Sequence, residues 1–302
     1  MLKYKNIRIL LIAYLLASTC IISALQTQPN KTADLIIFSF HRPMQLYALL
    51  ETVFKYFSKL NKIYVLYRTD TQEYEAAYQE IQATFPRIQF VKQGINPRAD
   101  FKPLLLQCFY GSSAEYVCFA VDDDIVKDYV NIHECVQALE KTDAYGFYLR
   151  LGTNICRQYY DHAHPPVPPH AKIKNDILKY QFKNGTSDWR YPHTVDMTIF
   201  KKSKIEYFYK NENYTSPNTL ESAWVNFADL NQYGLFFKIS KMFTLPLNIV
   251  QQDWWCPNEN SFSVEDLFIK WKNGLKIDIR PFDQIMNNCT FMGYRPNFIP
   301  RK

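Results

Sequence analysis

The sequence predicts an α/β fold: a mixed, mostly parallel sheet flanked by helices, in a single domain of residues 31–302 that follows an N-terminal hydrophobic helix within residues 1–30. Three observations carry this expectation. From Asp34 onward, short apolar runs alternate with amphipathic helical segments, the rhythm of βαβ units. One run, Glu115 to Val121, is so apolar and aromatic that it reads as a strand buried on both faces. It ends in Asp122-Asp123-Asp124, and the carboxyl ends of strands are where open α/β sheets bind ligands.

Each element has a local reason. Asp34 to Phe40 is the first strand, His41-Arg42-Pro43 a turn, and Met44 to Ser58 a helix with Leu46, Leu49, Leu50, Val53, Phe54 and Phe57 on one face. Lys62 to Tyr67 is the second strand and Gln72 to Thr84 the second helix; strand Ile88 to Lys92 and helix Phe101 to Tyr110 lead to the strand that carries the triplet. A helix from Asp128 to Lys141 and a strand from Ala144 to Leu151 follow. His162 to His170 contains four prolines and three histidines; missing donors and restricted neighbours exclude helix and central strand there, and the His spacing favours a solvated loop over a metal site. The second half carries a strand Val195 to Phe200, a helix from Lys204, a helix capped by Asn218 or Thr219, a strand Phe243 to Val250, and a Ser263-capped helix ended by Gly274.

Composition narrows the function. No Lys/Arg block marks a nucleic-acid footprint, and half of the net charge of +6 comes from Lys3, Lys5 and Arg8. Those three residues precede the uncharged run Ile9 to Leu25, which reads as a single-pass membrane anchor with its N-terminus in the cytoplasm, or as an export signal cleaved near Ser23-Ala24. Six cysteines remain beyond Cys20 and no pair has metal-site spacing. Four Asn-x-Thr sites, beginning at Asn30, Asn184, Asn213 and Asn288, are weak support for a lumenal location. The eight glycines form neither a Walker loop nor a dinucleotide fingerprint, so phosphate must be held by metal and side chains.

Three adjacent carboxylates at a strand end must be solvated, paired or bound to a cation. Oxygen-only ligands suit Mg²⁺ or Mn²⁺ with phosphate and water completing the shell. The alternative is an acidic turn that starts the next helix.

Several stretches together resemble the glycosyltransferases of the GT-A type, which have a Rossmann-type sheet: Asp34 to Arg42, the Asp122-Asp123-Asp124 triplet as a DxD motif, Tyr191 to Phe200, Ser216 to Glu221 and Gly274 to Asp278. The resemblance implies a nucleotide-sugar donor, a glycan, lipid or protein acceptor, and Mn²⁺ or Mg²⁺ on the donor diphosphate. It gives Asp122 and Asp124 to metal and ribose with Asp123 between them, and points to Phe40, His41, Arg42, Arg68 and Lys102 as nucleotide contacts. An inverting enzyme also needs a general base; Asp196 and Glu221 are both candidates. Two rivals remain: a binding or assembly protein of the same fold without turnover, in which Trp189, Trp224, Trp254 and Trp255 could contact sugar, and a nucleotidyltransferase with a related sheet.

Overall fold

The computed structural model describes residues 30–159, 162–251, 253 and 262–301. The predicted N-terminal helix lies outside them, as do Trp254 and Trp255. Among the described residues no helix is long and apolar enough to cross a membrane.

Strand β1 (Asn30–Phe40) leads into α1 (Pro43–Tyr56), β2 (Phe57–Ser58), β3 (Leu60–Arg68), α2 (Gln72–Thr84) and β4 (Gln89–Lys92). Helix α3 (Pro97–Tyr110) returns the chain to β5 (Ala114–Val121), followed by β6 (Asp124–Val126), β7 (Val130–Asn131), α4 (Ile132–Thr142) and β8 (Gly146–Tyr148). After the Pro-rich loop come β9 (His170–Lys174), β10 (Ile177–Gln181), β11 (Thr198–Lys201), α5 (Lys202–Asn211), α6 (Pro217–Val225) and β12 (Tyr233–Phe237). The chain ends with β13 (Met242–Thr244), α7 (Val264–Lys272), β14 (Leu275–Ile277) and β15 (Phe298–Pro300).

Nine strands form one sheet in the order β4-β3-β1-β5-β11-β8-β12-β10-β9. The β1, β3 and β4 ladders are parallel, as is the β8–β12 ladder; β11 runs antiparallel between β5 and β8, and β9–β10 is an antiparallel edge hairpin. The sheet is mixed and mostly parallel, as the alternation of elements predicts. Its period-two side chains feed two cores. Tyr116, Cys118 and Ala120 of β5 face the layer that includes α1 and α7, while Val117 and Phe119 face the layer that includes α3, α5 and α6. That two-sided burial is why β5 reads as a continuous apolar run.

The differences from the sequence-based expectations have local causes. Helix α1 stops at Tyr56 because Phe57 and Ser58 pair with Val130 and Asn131, and the same pairing delays α4 to Ile132, where Asn131 caps His133 N. Helix α3 begins four residues before Phe101, with Pro97 in its first turn and Asn96 accepting from Ala99 N. Helix α6 is capped by Ser216 in a capping box with Thr219, rather than by Asn218 or Thr219. The strand expected over Phe243 to Val250 ends at Thr244. Strands β2, β6, β7, β9, β10, β12, β14 and β15 are additional to the expected elements; β9 is a polar edge strand with Lys172 and Lys174, which carries little apolar signal.

Phe119 is fully buried and stacks on Phe38 and Tyr209 across β1 and α5. Phe119→Ala should cost about 3–5 kcal/mol, read as a shift in the denaturant midpoint at unchanged slope.

Candidate active site

From β1 the chain steps outward to β3 and β4, then crosses back to place β5 on the other side of β1. The carboxyl ends of β1 and β5 therefore flank a topological switch point, where a crevice opens. A cavity of about 650 Å³ occupies it. Phe38, Phe40, Leu66 and Phe101 supply apolar lining from β1, β3 and α3; Asp122 and Asp123, at the carboxyl end of β5, are taken as its floor, and Asp196 and Glu221 reach it from the second half of the chain.

His41 lies in the left-handed region at φ 55°, held between the rings of Phe40 and Tyr74, with Nε2 accepting from Asp70 N at 2.9 Å. This strained turn is followed by Arg42, whose guanidinium meets the triplet. Arg42 Nη1 donates to Asp122 Oδ1 and to Asp123 Oδ2, both at 3.0 Å. Its Nε donates to Asn248 Oδ1 at 2.8 Å and Nη2 donates to the Asn248 carbonyl. Asp122 Oδ2 also accepts from Ser39 Oγ at 2.8 Å and Phe40 N at 3.2 Å. Burial pushes the Asp122 carboxyl up to about 6, with Arg42 opposing and Asp123 adding.

The third carboxylate behaves differently. Asp124 is fully buried, accepts from Thr244 Oγ1 at 2.8 Å and Val121 N at 3.1 Å, and does not line the cavity. Burial, with Asp196 and Asp123 adding, raises its pKa well above the ordinary aspartate value. Of the expected metal ligands Asp122 and Asp124, Asp122 lines the cavity and Asp124 does not; the second triplet carboxylate in the lining is Asp123, because Asp124 opens β6 and accepts from Thr244 of β13.

Asp196 sits in a tight turn, one residue before Met197 at φ 42°, and its N–H donates to Thr194 Oγ1 at 3.1 Å. Glu221 reaches back from the second turn of α6, and its Oε1 accepts from Val195 N at 2.7 Å. The expected strand over Val195 to Phe200 begins only at Thr198, which frees Asp196 to face the cavity. Burial pushes both up, Asp196 to about 6 and Glu221 to about 8, and their mutual repulsion adds to the rise on Glu221. Arg150, itself buried against Asp188 at 2.8 Å, restrains Asp196. The pair holds a proton near neutral pH.

The other sequence candidates divide. Phe40, Arg42 and Arg68 line the cavity, with the Arg68 guanidinium 4.4 Å from the Phe40 ring centre. His41 packs behind the wall, and Lys102 caps the carbonyls of Lys210 and Glu212 at 2.9 and 2.7 Å, so neither faces the cavity. Trp189 and Trp224 are core residues, 0% and 1% exposed, and offer no sugar platform. Sequence reasoning missed Arg98 and Asn248, both cavity residues. Asn248 Oδ1 accepts from Arg42 and from Gln45 Nε2 at 3.1 Å, and its buried Nδ2 has no hydrogen-bond partner. Nothing in the sequence marks it, because its place is set by Arg42 far along the chain.

Among the described residues no three His, Cys, Asp or Glu side chains converge in the manner of an all-protein metal cage. Asp122 and Asp123 still fit a hard cation of the open type, which takes one or two carboxylates and fills its shell with phosphate oxygens and water. Asp122 and Asp123 share a single guanidinium, that of Arg42, through its Nη1.

No protein-family model and no curated protein matches the chain. The fold is similar to several solved structures. TarS of S. aureus is 12% identical over 67% of this chain and 36% of its own, with a TM-score of 0.42. The mannosyltransferase PcManGT from Pyrobaculum calidifontis, in complex with GDP-Man and Mn²⁺, is 10% identical over 74% of this chain and 61% of its own, at 0.38. GalNAc-T7 with UDP, GalNAc and Mn²⁺ is 9% identical over 74% and 45%, at 0.44. This chain spans less than two thirds of each of them.

Because Glu221 holds its proton more tightly in the folded state than unfolded, it stabilises the fold at acidic pH, and that contribution is lost as pH rises through about 8. Thermal melts of Glu221→Gln should therefore show a flatter decline of Tm between about pH 5 and about pH 9 than the parent chain. Equal slopes would place the Glu221 pKa in the ordinary carboxylate range.

Proposed function

We propose that the chain is a metal-dependent glycosyltransferase that moves a sugar from a nucleoside-diphosphate donor to an acceptor hydroxyl. One observation carries the reading. A single cavity at the switch point joins a partly aromatic, cationic end, a two-carboxylate floor and a pair of half-buried carboxyl groups of raised pKa. Those are the three parts that such a transfer needs: a nucleotide slot, a diphosphate anchor and a base.

In this reading Phe38, Phe40, Leu66 and Phe101 hold the nucleobase and ribose, with Arg68 and Arg98 at the rim. Asp122 and Asp123 are the residues that would hold Mn²⁺ or Mg²⁺. Bound there, the cation would neutralise charge on the diphosphate leaving group. Arg42 keeps the two carboxylates together and at the cavity floor. Asp196, the more acidic of the acid pair, takes the acceptor's proton. Glu221, which holds its proton to higher pH, orients the hydroxyl. The anchoring of the chain at a membrane through Ile9 to Leu25 belongs to the same proposal and rests on the sequence alone.

Calorimetric titration with a panel of nucleoside diphosphates should show one that binds with Mn²⁺ and loses affinity with chelator. Asp123→Ala should lose the metal-dependent part. No binding of any nucleotide would sink the transferase reading and favour the non-enzymatic rival. Once a donor is known, Asp196→Asn should slow turnover by about 10²–10⁴-fold. The pH profile of kcat should rise near about 6 and fall near about 8, a bell that Asp196→Asn removes on its acidic side.

A further inference from the structure

Beside the main cavity lies a second recess of about 500 Å³, lined by Tyr191, Asn218, Glu221, Ser222, Val225 and Asn226. It shares Asn218 and Glu221 with the first, so the Glu221 carboxyl group stands on the boundary between the two. The recess is built by α6. Leu220 and Trp224 of that helix are buried in the core, and Asn218, Glu221, Ser222 and Val225 recur at i, i+3, i+4 and i+7 on the opposite stripe. A helix this short needs only one apolar stripe to dock. Its other stripe is polar and turned to an open space next to the acid pair.

The chemistry of the lining is selective. Apart from Glu221 it carries no charge: two amides, one hydroxyl and one phenol, with Val225 as the single aliphatic side chain. No Lys or Arg is present to hold a phosphate or a carboxylate, which argues against a lipid phosphate or an acidic peptide. One valine is too little apolar surface for an acyl or prenyl chain. Amide and hydroxyl groups that both donate and accept, beside a half-buried aromatic ring, suit the neighbouring hydroxyls and the apolar face of a neutral sugar. The main cavity differs in kind, since its own lining carries Arg42, Arg68 and Arg98.

We propose that this recess is the acceptor subsite and that the acceptor is a neutral carbohydrate, seated between Tyr191 and the polar stripe of α6, with one hydroxyl at the Asp196–Glu221 pair. The proposal rests on the transferase reading above. In the transfer, the acceptor oxygen forms a bond to the anomeric carbon of the donor while the bond from that carbon to the diphosphate oxygen breaks. The proton goes to Asp196, and the electron pair leaves with the nucleoside diphosphate. Ser222 and Asn226 are exposed positions whose enlargement fills the recess without entering the core.

The test is saturation-transfer NMR on the full chain, saturated with the nucleoside diphosphate that calorimetry identifies, against methyl glycosides of glucose, galactose, mannose and N-acetylglucosamine. At least one should bind, and Ser222→Trp and Asn226→Trp should each weaken it tenfold or more. Two variants guard against one failing to fold. If a nucleotide binds but no glycoside does, or the glycoside binds both variants as it binds the parent, the acceptor proposal is overturned while the transferase reading stands. If a polyprenyl phosphate or a peptide binds in place of the sugars, the same holds. If no nucleotide binds, the transferase reading fails first, and the acceptor assignment falls with it.

Discussion

The guanidinium of Arg42 is the interaction on which the site depends. It sits between two carboxylates that follow one another in sequence, and their separate burial would be costly without it. Its remaining donors reach the side chain and the carbonyl of Asn248, so one planar group ties the end of β1, the turn after β5 and the loop after β13. The two halves of the cavity wall are in this way held at a fixed separation. Replacing Arg42 with Lys would keep the charge but lose the fork that touches all three segments at once.

The environment of the carboxyl groups follows from that frame. Asp122, Asp124, Asp196 and Glu221 are all pushed upward, each chiefly by burial. What separates them is their partners. Asp122 faces a guanidinium, Asp124 accepts from a threonine hydroxyl and a backbone N–H, and Asp196 pushes Glu221 up while Arg150 restrains both. One guanidinium-bound carboxylate, one held by a hydroxyl and a backbone N–H, and one pair with raised proton affinity show how position alone gives the same functional group different properties.

The small glycine count finds its explanation in the same place. Without a Gly-rich loop to cradle phosphate through backbone amides, the floor is built from side chains, and the tight turns around it are made by ordinary residues. His41 and Met197 both adopt positive φ, one beside Arg42 and the other beside Asp196. The strain is held by stacking of His41 on Phe40 and Tyr74, and by the burial of Met197.

The sequence by itself determined the α/β class, the order of β1, α1, β3, α2, β4, α3 and β5, the buried central strand, and the carboxylates at its end. These are local: the period of apolar residues and the signature of caps are written within a dozen positions of each element. It also brought Asp196 and Glu221 into view as acids beside apolar neighbours. Only the tertiary structure decided that Asp123 rather than Asp124 lines the cavity beside Asp122, that Lys102 and His41 lie outside its lining, and that Asn248, 206 residues from Arg42, completes the clamp. Adjacent aspartates differ in direction because β6 pairs with β13, and their proton affinities differ because segments from distant parts of the chain remove water from around them. Desolvation belongs to the packed molecule, and no window of sequence contains it.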